Sequence, residues 1–221
     1  MTTDHIVEQG EHLPGIAEEY GFTDYRTIWE HPKNAALKKE RQNPNVLYPG
    51  DKIFIPEKEL KEYSRQTQRR HPFRVKTQPL MLRIRLEREY DQPLANTKCE
   101  LTVELEPFKL TADGNGEIKQ KIATDAVNAR LVIKDSLIIK KKKVPFDIEL
   151  PIKIGFLDPV DKRSGQLARL MNLGYYRGSI DEVDDQELLS AIEEFQCEHN
   201  LTVDGKCGPQ TQAKLKEVHG C

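Results

Sequence analysis

The segment LTVDGKCGPQTQAKL, residues 201–215, decides the architecture of the C-terminal part of the chain. Gly208 followed by Pro209 suits the start of a helix, because proline lacks an N–H at a position where the helix offers that group no partner. Apolar residues at helical spacing follow, namely Ala213, Leu215 and Val218. The segment therefore predicts a turn and then a helix from residue 209.

Two more apolar stripes with a period near 3.6 precede this helix. The first contains Leu167, Leu170 and Leu173 and ends at Gly174, and the second contains Leu188, Leu189, Ile192 and Phe195. The sequence predicts a three-helix unit, which we assign to residues 156–221.

Upstream, the period of the apolar residues changes to two, which is typical of half-buried strands. The alternating sets are Leu82, Ile84 and Leu86, and Leu101, Val103 and Leu105. The run 113–116, DGNG, predicts a hairpin turn, because glycine and asparagine tolerate positive φ. Residues 72–155 are therefore predicted to form a central antiparallel β-sandwich, and the charge-rich run 57–71 a linker.

The first 56 residues combine both periods. A short strand is expected at 5–7, helices at 13–20 and 24–31, a further turn of helix at 34–39, and a closing strand at 52–55. This order is a β-α-α-β unit, so the whole chain is predicted to be a multidomain α+β protein.

Composition excludes several classes of protein. With 37% hydrophobic and 32% charged residues, no window approaches the roughly 20 apolar residues of a membrane span. The formal net charge of -2 gives no global attraction for nucleic acid. The start MTTDHIVEQGEHL has no basic region followed by an apolar one, so we expect synthesis in the cytoplasm without a signal peptide.

Residues 5–56 resemble a LysM domain. The resemblance lies in GEHLPGIAEEYG at 10–21 and in NPNVLYPGDKIFIP at 43–56. It implies a shallow groove between two loops that binds glycans containing N-acetylglucosamine, such as peptidoglycan. By position, the groove would be lined by Gly10, Glu11, His12 and Leu13 from one loop, and by Asn45, Val46, Leu47 and Tyr48 from the other.

Residues 164–221 resemble the three-helix peptidoglycan-binding domain. The matching pieces are LARLMNLGYYRGSID, AIEEFQ and LTVDGKCGPQTQAKL. The resemblance implies that Thr211 caps or buttresses the third helix, while Glu182 and Asp185 stand where that family usually has glycine. Tyr175 and Tyr176 are candidates for a second wall contact, with packing as the alternative.

The combination of a short LysM unit, a middle sandwich and a terminal peptidoglycan-binding unit is similar to proteins found with the spike of bacterial type VI secretion systems. It implies a partner in a contractile injection apparatus, either a spike or an effector protein. It also implies a route to the periplasm or the exterior that needs no signal peptide.

The C-terminal end carries thiol and imidazole groups, which are ligands of zinc. They are Cys197, His199, Cys207, His219 and Cys221. Their spacing fits no established zinc pattern, so we predict no metal site and no cofactor. For the cysteines themselves three alternatives stay open: free thiols, a disulfide, or metal ligands. Among disulfides, antiparallel helices would favour Cys197 with Cys207 over Cys207 with Cys221. Cys99 is expected to be a lone buried thiol.

Catalytic motifs are not found, so the sequence predicts no enzyme. Carboxylates are frequent at Asp158, Asp161, Asp181, Asp184 and Asp185, and we interpret them as solvated loop and helix-start charges rather than a catalytic pair. The lysine run 140–143 is interpreted as a solvated strand end. The first hypothesis is a non-catalytic cell-wall binding protein, and the alternative is a structural adaptor or effector-loading protein whose modules bind protein.

Overall fold

The computed structural model describes residues 3–58, 64–72, 79–88, 92–139, 142–178 and 183–221. The protein is mixed α+β, with antiparallel sheets and a C-terminal helical region, as predicted. The helices are α1 (Leu13–Glu19), α2 (Arg26–Trp29), α3 (Ala35–Arg41), α4 (Arg163–Asn172), α5 (Asp185–Glu198) and α6 (Pro209–His219). None of the helices in these described ranges is both long enough and apolar enough to cross a bilayer.

The described residues also form ten strands. They are β1 (Thr3–Ile6), β2 (Lys52–Ile55), β3 (Leu80–Arg85), β4 (Glu87–Arg88), β5 (Gln92–Pro93), β6 (Lys98–Val103), β7 (Glu106–Thr111), β8 (Glu117–Ile122), β9 (Asn128–Ile139) and β10 (Lys142–Lys153). Backbone contacts divide the chain into two compact units. The first comprises Met1–Leu13, Arg26–Glu57 and Phe156–Cys221, and the second comprises Pro14–Tyr25 and Lys58–Gly155. The boundaries expected from the sequence stay predictions.

In the first unit, β1 and β2 pair antiparallel, from Thr3 opposite Ile55 to Ile6 opposite Lys52. The bounds predicted for β2 are confirmed. The buried Asn34 connects this ribbon to α2, because its amide nitrogen donates to the carbonyls of Ile28 and Phe54, at 2.8 Å each. Its amide oxygen accepts the Phe54 N–H at 2.8 Å. All of the polar groups of this buried side chain are therefore satisfied.

The C-terminal helices of the first unit confirm the three predicted stripes. Asp184 is the N-cap of α5, where its carboxylate accepts the N–H groups of Gln186 and Glu187, so the helix-start interpretation of this acid is confirmed. Asp181 and Glu182 lie outside the described residues. The core of the three helices contains Leu167, Leu170, Tyr176, Phe195 and Leu215.

The second unit contains a four-stranded antiparallel sheet in the order β10-β9-β6-β7, and a two-stranded sheet of β3 with β8. Leu101 on β6 lies opposite Leu131 on β9, and both side chains are fully buried. Leu86 and Ile118, from the region of the second sheet, belong to the same apolar core. The predicted antiparallel strands are therefore confirmed. Residues 140–141 of the lysine run lie outside the described residues.

The prediction that Leu105 continues the alternation of a strand is wrong. Glu104 has φ +51, and residues 104–105 form the turn between β6 and β7, which leaves Leu105 93% exposed. The Glu104 carboxylate accepts the N–H groups of Asn128 and Val127, at 2.8 Å each. These two bonds, that of Asn128 first, lower the pKa of Glu104. The turn is thus fixed by the Glu104 side chain, and no turn motif in the sequence predicts it.

Candidate functional site

The turn at residues 204–206 is connected to α6 by one side chain, Gln196 on α5, which is 1% exposed. Its amide oxygen accepts the N–H groups of Asp204 and Gly205, at 3.0 Å each. Its amide nitrogen donates to Asp204 Oδ1 at 2.9 Å, and to Lys206 O and Thr211 Oγ1 at 3.0 Å. The turn and the start of α6 are therefore fixed by one fully satisfied buried amide.

Of the two roles that the resemblance implied for Thr211, capping or buttressing the third helix, the structure shows the second. Thr211 is buried under Gln196, whereas the N-cap of α6 is Gly208, which makes no side-chain cap bond. Asp204 stabilises the turn from the solvent side, because its Oδ1 accepts the Lys206 N–H at 2.9 Å. That bond, together with the Gln196 amide, lowers the pKa of Asp204.

An exposed apolar surface borders this turn. Val203 is 52% exposed, and Leu189 on α5 is also exposed. The Leu189 side chain lies against Gly205, where an added Cβ would come within 3.1 Å of Leu189 Cγ. Apolar side chains beside ordered polar backbone are the usual lining of a ligand site, since they desolvate while the backbone orients.

The two candidate tyrosines have different surroundings. Tyr176 is 2% exposed and belongs to the core of the three helices, and its hydroxyl accepts the Asp184 N–H at 3.3 Å. Tyr175 is half-buried, and its hydroxyl donates to Glu198 at 2.7 Å. Its ring meets Phe195 edge to face, with centroids 5.3 Å apart. In this arrangement Tyr176 stabilises the core and has no free face for a ligand.

All four cysteines are free thiols, so neither of the two disulfide alternatives is formed, and Cys99 is the buried thiol that the strand context predicts. Of the five candidate ligands, His219 and Cys221 are in contact, with Nδ1 and Sγ 3.2 Å apart. Among the described residues, no three of the five bring their ligand atoms within 4.8 Å of one another. Burial raises the pKa of Cys207 to about 11 and lowers that of His219 to about 4.

Arg169 on α4 is a buried charged residue of the C-terminal helices that the sequence analysis did not identify. Its guanidinium is buried and donates to three carbonyls: Cys221 O and Asp158 O at 2.8 Å, and Gly165 O at 2.7 Å. Burial holds its pKa below the ordinary value. Three carbonyl acceptors are not visible in a sequence pattern, so only the position of Arg169 on the apolar stripe of α4 could have signalled burial.

The structure brings the two predicted groove loops together. We call residues 10–13 and 45–48 the N-terminal loop pair. The Leu13 N–H donates to Pro44 O at 3.0 Å, which connects the two loops. The side chains of His12, Leu13, Val46 and Leu47 are buried, while those of Glu11 and Tyr48 are half-buried and Asn45 is exposed. Glu11 accepts from His5 Nε2 at 2.9 Å and from the Glu8 N–H at 2.6 Å.

The second loop is held by an ion pair that the sequence analysis did not identify. Arg41 donates to both carboxylate oxygens of Asp51, from Nε at 2.7 Å and from Nη2 at 2.8 Å. The same carboxylate accepts the Tyr48 N–H at 2.9 Å. The bond to Asp51 raises the pKa of Arg41. A two-point contact of this kind fixes direction as well as distance, so it sets the path of the loop that carries Tyr48.

A shallow depression of about 440 Å³ also lies on the β1-β2 ribbon. Its lining residues are Thr3, Asp4, Lys33, Asn34, Lys52 and Phe54. None of them belongs to the N-terminal loop pair.

Comparison with known proteins bears on the C-terminal module. No curated protein and no solved structure matches the chain. A protein-family model described as "Putative peptidoglycan binding domain" matches residues 168–215, which run from α4 through the Gln196 network into α6.

Proposed function

We propose that this protein binds peptidoglycan without cleaving it, and that the first contact is made by the C-terminal helices. The family match over residues 168–215 carries the proposal. The intact Gln196 network supports it, because the turn that the family pattern specifies is held rigidly beside the exposed Val203 and Leu189. A rigid, preformed surface loses little conformational freedom on binding.

The absence of catalysis is part of the same proposal. A Cys207 thiol with a pKa of about 11 is protonated at neutral pH, and thiols attack as thiolates. An imidazole with a pKa of about 4, as at His219, is neutral there and carries no proton to donate as a cation. These surroundings suit structural groups rather than nucleophiles or general acids.

Co-sedimentation of the full chain with insoluble peptidoglycan tests the proposal. The informative variant is Val203→Glu, which places a charge on the exposed apolar surface. The matched control is Val127→Glu, a residue of the second unit that is 41% exposed. We expect Val203→Glu to weaken binding about tenfold, which corresponds to about 1.4 kcal/mol, and the control to bind as the intact chain does.

Failure of the intact, folded chain to sediment would contradict wall binding altogether. Equal binding by both variants would contradict the assignment of the surface around Val203. Circular dichroism of each variant separates a lost surface from a lost fold.

Delivery by a contractile secretion apparatus is the second part of the proposal, and it rests on the resemblance of the three-part arrangement to spike-associated proteins. Release of the protein into culture medium, compared between cells with and without the contractile sheath, tests it. Sheath-independent release would contradict it.

The alternative function is an adaptor whose modules bind protein. The burial of Tyr176 favours it, because one of the two aromatic rings expected to meet the wall is part of the core. A chain that leaves with the spike but does not sediment with peptidoglycan would fit the adaptor and contradict the wall-binding function.

A further inference from the structure

The stretch FLDPVDK, residues 156–162, begins the C-terminal part of the first compact unit, and we call it the joint segment. On one side it is held firmly by α4. Arg169 Nη1 donates to Asp158 O at 2.8 Å, and Gln166 Nε2 donates to Val160 O at 3.0 Å. An added Cβ at Gly165 would collide with the carbonyl oxygen of Pro159, so α4 and the segment are in direct backbone contact.

A carboxylate reinforces this attachment. Asp158 was interpreted from the sequence as a solvated charge, and that interpretation is wrong. Its side chain is buried and accepts the Ser164 hydroxyl at 2.6 Å. The joint segment is thus anchored to the C-terminal helices by a buried arginine, a buried carboxylate and a close glycine.

The other side of the joint segment meets the N-terminal loop pair. The Phe156 ring covers Gly10, where an added Cβ would lie 3.0 Å from Phe156 Cζ. At the second loop, Lys162 Nζ stands 5.1 Å from the centroid of the Tyr48 ring, a cation–π distance. One segment therefore reaches both loops of the predicted groove.

Two polar contacts border these aromatic ones. Gln9 Nε2 donates to Asp158 Oδ1 at 3.4 Å, next to Gly10. Arg41, which fixes the second loop through Asp51, also pairs with Asp161 at 3.9 Å. The partners are complementary in charge and hydrogen bonding.

We infer that the N-terminal loop pair is a docking surface whose occupant is the joint segment of the same chain, and that an N-acetylglucosamine glycan and this segment compete for it. The inference goes beyond the proposed function, which assigns the first contact to the C-terminal helices, and rests on it for the nature of the glycan. The LysM resemblance would give a sugar the backbone at Gly10 and the face of Tyr48, and Phe156 and Lys162 contact these two places.

The distances also indicate whether the joint segment separates more easily from α4 or from the N-terminal loop pair. Contacts toward α4 are short, at 2.6 to 3.0 Å, and are buried or partly buried. The polar contacts that border the loop pair, at Gln9 and Arg41, are long, at 3.4 and 3.9 Å, and Phe156 is 40% exposed. Separation from the loops is therefore the easier step, and the segment stays with the C-terminal helices. When a site is open only part of the time, its apparent affinity falls by the open fraction.

The test uses the full chain and the double variant Phe156→Ala, Lys162→Ala. The control is Leu105→Ala, Lys109→Ala, which removes a large apolar side chain and a lysine from exposed positions of the second unit. The probe is a soluble N-acetylglucosamine tetrasaccharide, measured by calorimetry. We expect the double variant to bind it about tenfold more tightly than the wild type and the control.

Adding Asn45→Ala and Tyr48→Ala to the double variant should remove the gain, because both residues belong to the second loop. Unchanged or weaker binding by the double variant would overturn the competition. Weaker binding would show that the segment belongs to the glycan site.

Hydrogen exchange without any glycan tests the docking itself. Residues 8–13 should exchange faster in the double variant than in the wild type, and equal exchange would overturn the docking. Co-sedimentation with peptidoglycan, run in parallel, reports on the proposed function separately. Loss of sedimentation in every sample contradicts wall binding and leaves the exchange result to judge the docking.

Discussion

The turn at 204–206 and the N-terminal loop pair belong to the same compact unit but are held in opposite ways. The turn is fixed from within by Gln196, through contacts that span residues 196–211. The loop pair is held by the local Arg41–Asp51 pair and, in addition, by the joint segment near residue 160, which lies far along the chain. The comparison contrasts a turn that is fixed by its own neighbours in sequence with a loop pair that a distant segment covers.

The largest expected effect is at Gln196. Gln196→Ala should lower the free energy of unfolding by about 3 kcal/mol or more, because it leaves several buried donors and acceptors without partners. Urea denaturation measures it, with the exposed Gln186→Ala as control. A loss below about 1 kcal/mol would show that the turn does not depend on this amide.

Acid should weaken the C-terminal module through His219. Its folded pKa, about 4, lies below the ordinary 6.5 because of burial, so the unfolded chain binds more protons between these values. Stability is therefore full above about pH 6.5 and declines as the pH falls toward 4, by roughly 2 kcal/mol. Urea midpoints at pH 7 and 4.5 should differ less in His219→Gln than in the wild type, and an equal difference would argue against a buried neutral imidazole.

The loop that carries Tyr48 should depend on its ion pair. Asp51→Asn should lower the free energy of unfolding by about 2 kcal/mol, since one partner of a largely buried pair then stands without its counter-charge. Asp4→Asn, a change of the same kind on β1, is the control. If the two variants unfold at the same urea concentration, the pair does not hold the loop.

The smallest expected effect is the difference in stability between two glycine-to-alanine variants, which separates the cost of positive φ from the cost of disturbing the joint segment. Gly10 and Gly50 have φ of +92 and +93, but a Cβ at Gly10 would meet Phe156, whereas a Cβ at Gly50 has no neighbour within 4 Å. Each alanine substitution should cost about 1 kcal/mol for positive φ. Gly10→Ala should cost measurably more than Gly50→Ala, and equal thermal stabilities would contradict the Phe156 contact.

The same contrast explains what the sequence could predict. The three C-terminal helices and the closing strand β2 follow from local periodicity and turn residues, and the structure confirms them. The bonds around Gln196 join residues close in sequence, so a short motif carries them. Arg169, Phe156 and the Arg41–Asp161 contact could not be assigned, because the partners lie tens of residues away or are backbone carbonyls that any sequence supplies. The turn at Leu105 was missed for the same reason, since Glu104 fixes it through residues 127–128.

One peptidoglycan co-sedimentation series compares the two regions directly, with the full chain, Val203→Glu, and the pair Asn45→Ala, Tyr48→Ala. The loop variant keeps Leu47, because the side chain of Leu47 is buried and its removal would report on folding. We expect about tenfold weaker binding for Val203→Glu and less than a twofold change for the loop variant, because the joint segment occupies the loops. Binding that the loop variant abolishes and Val203→Glu retains would contradict both wall contact by the C-terminal helices and occupation of the loops.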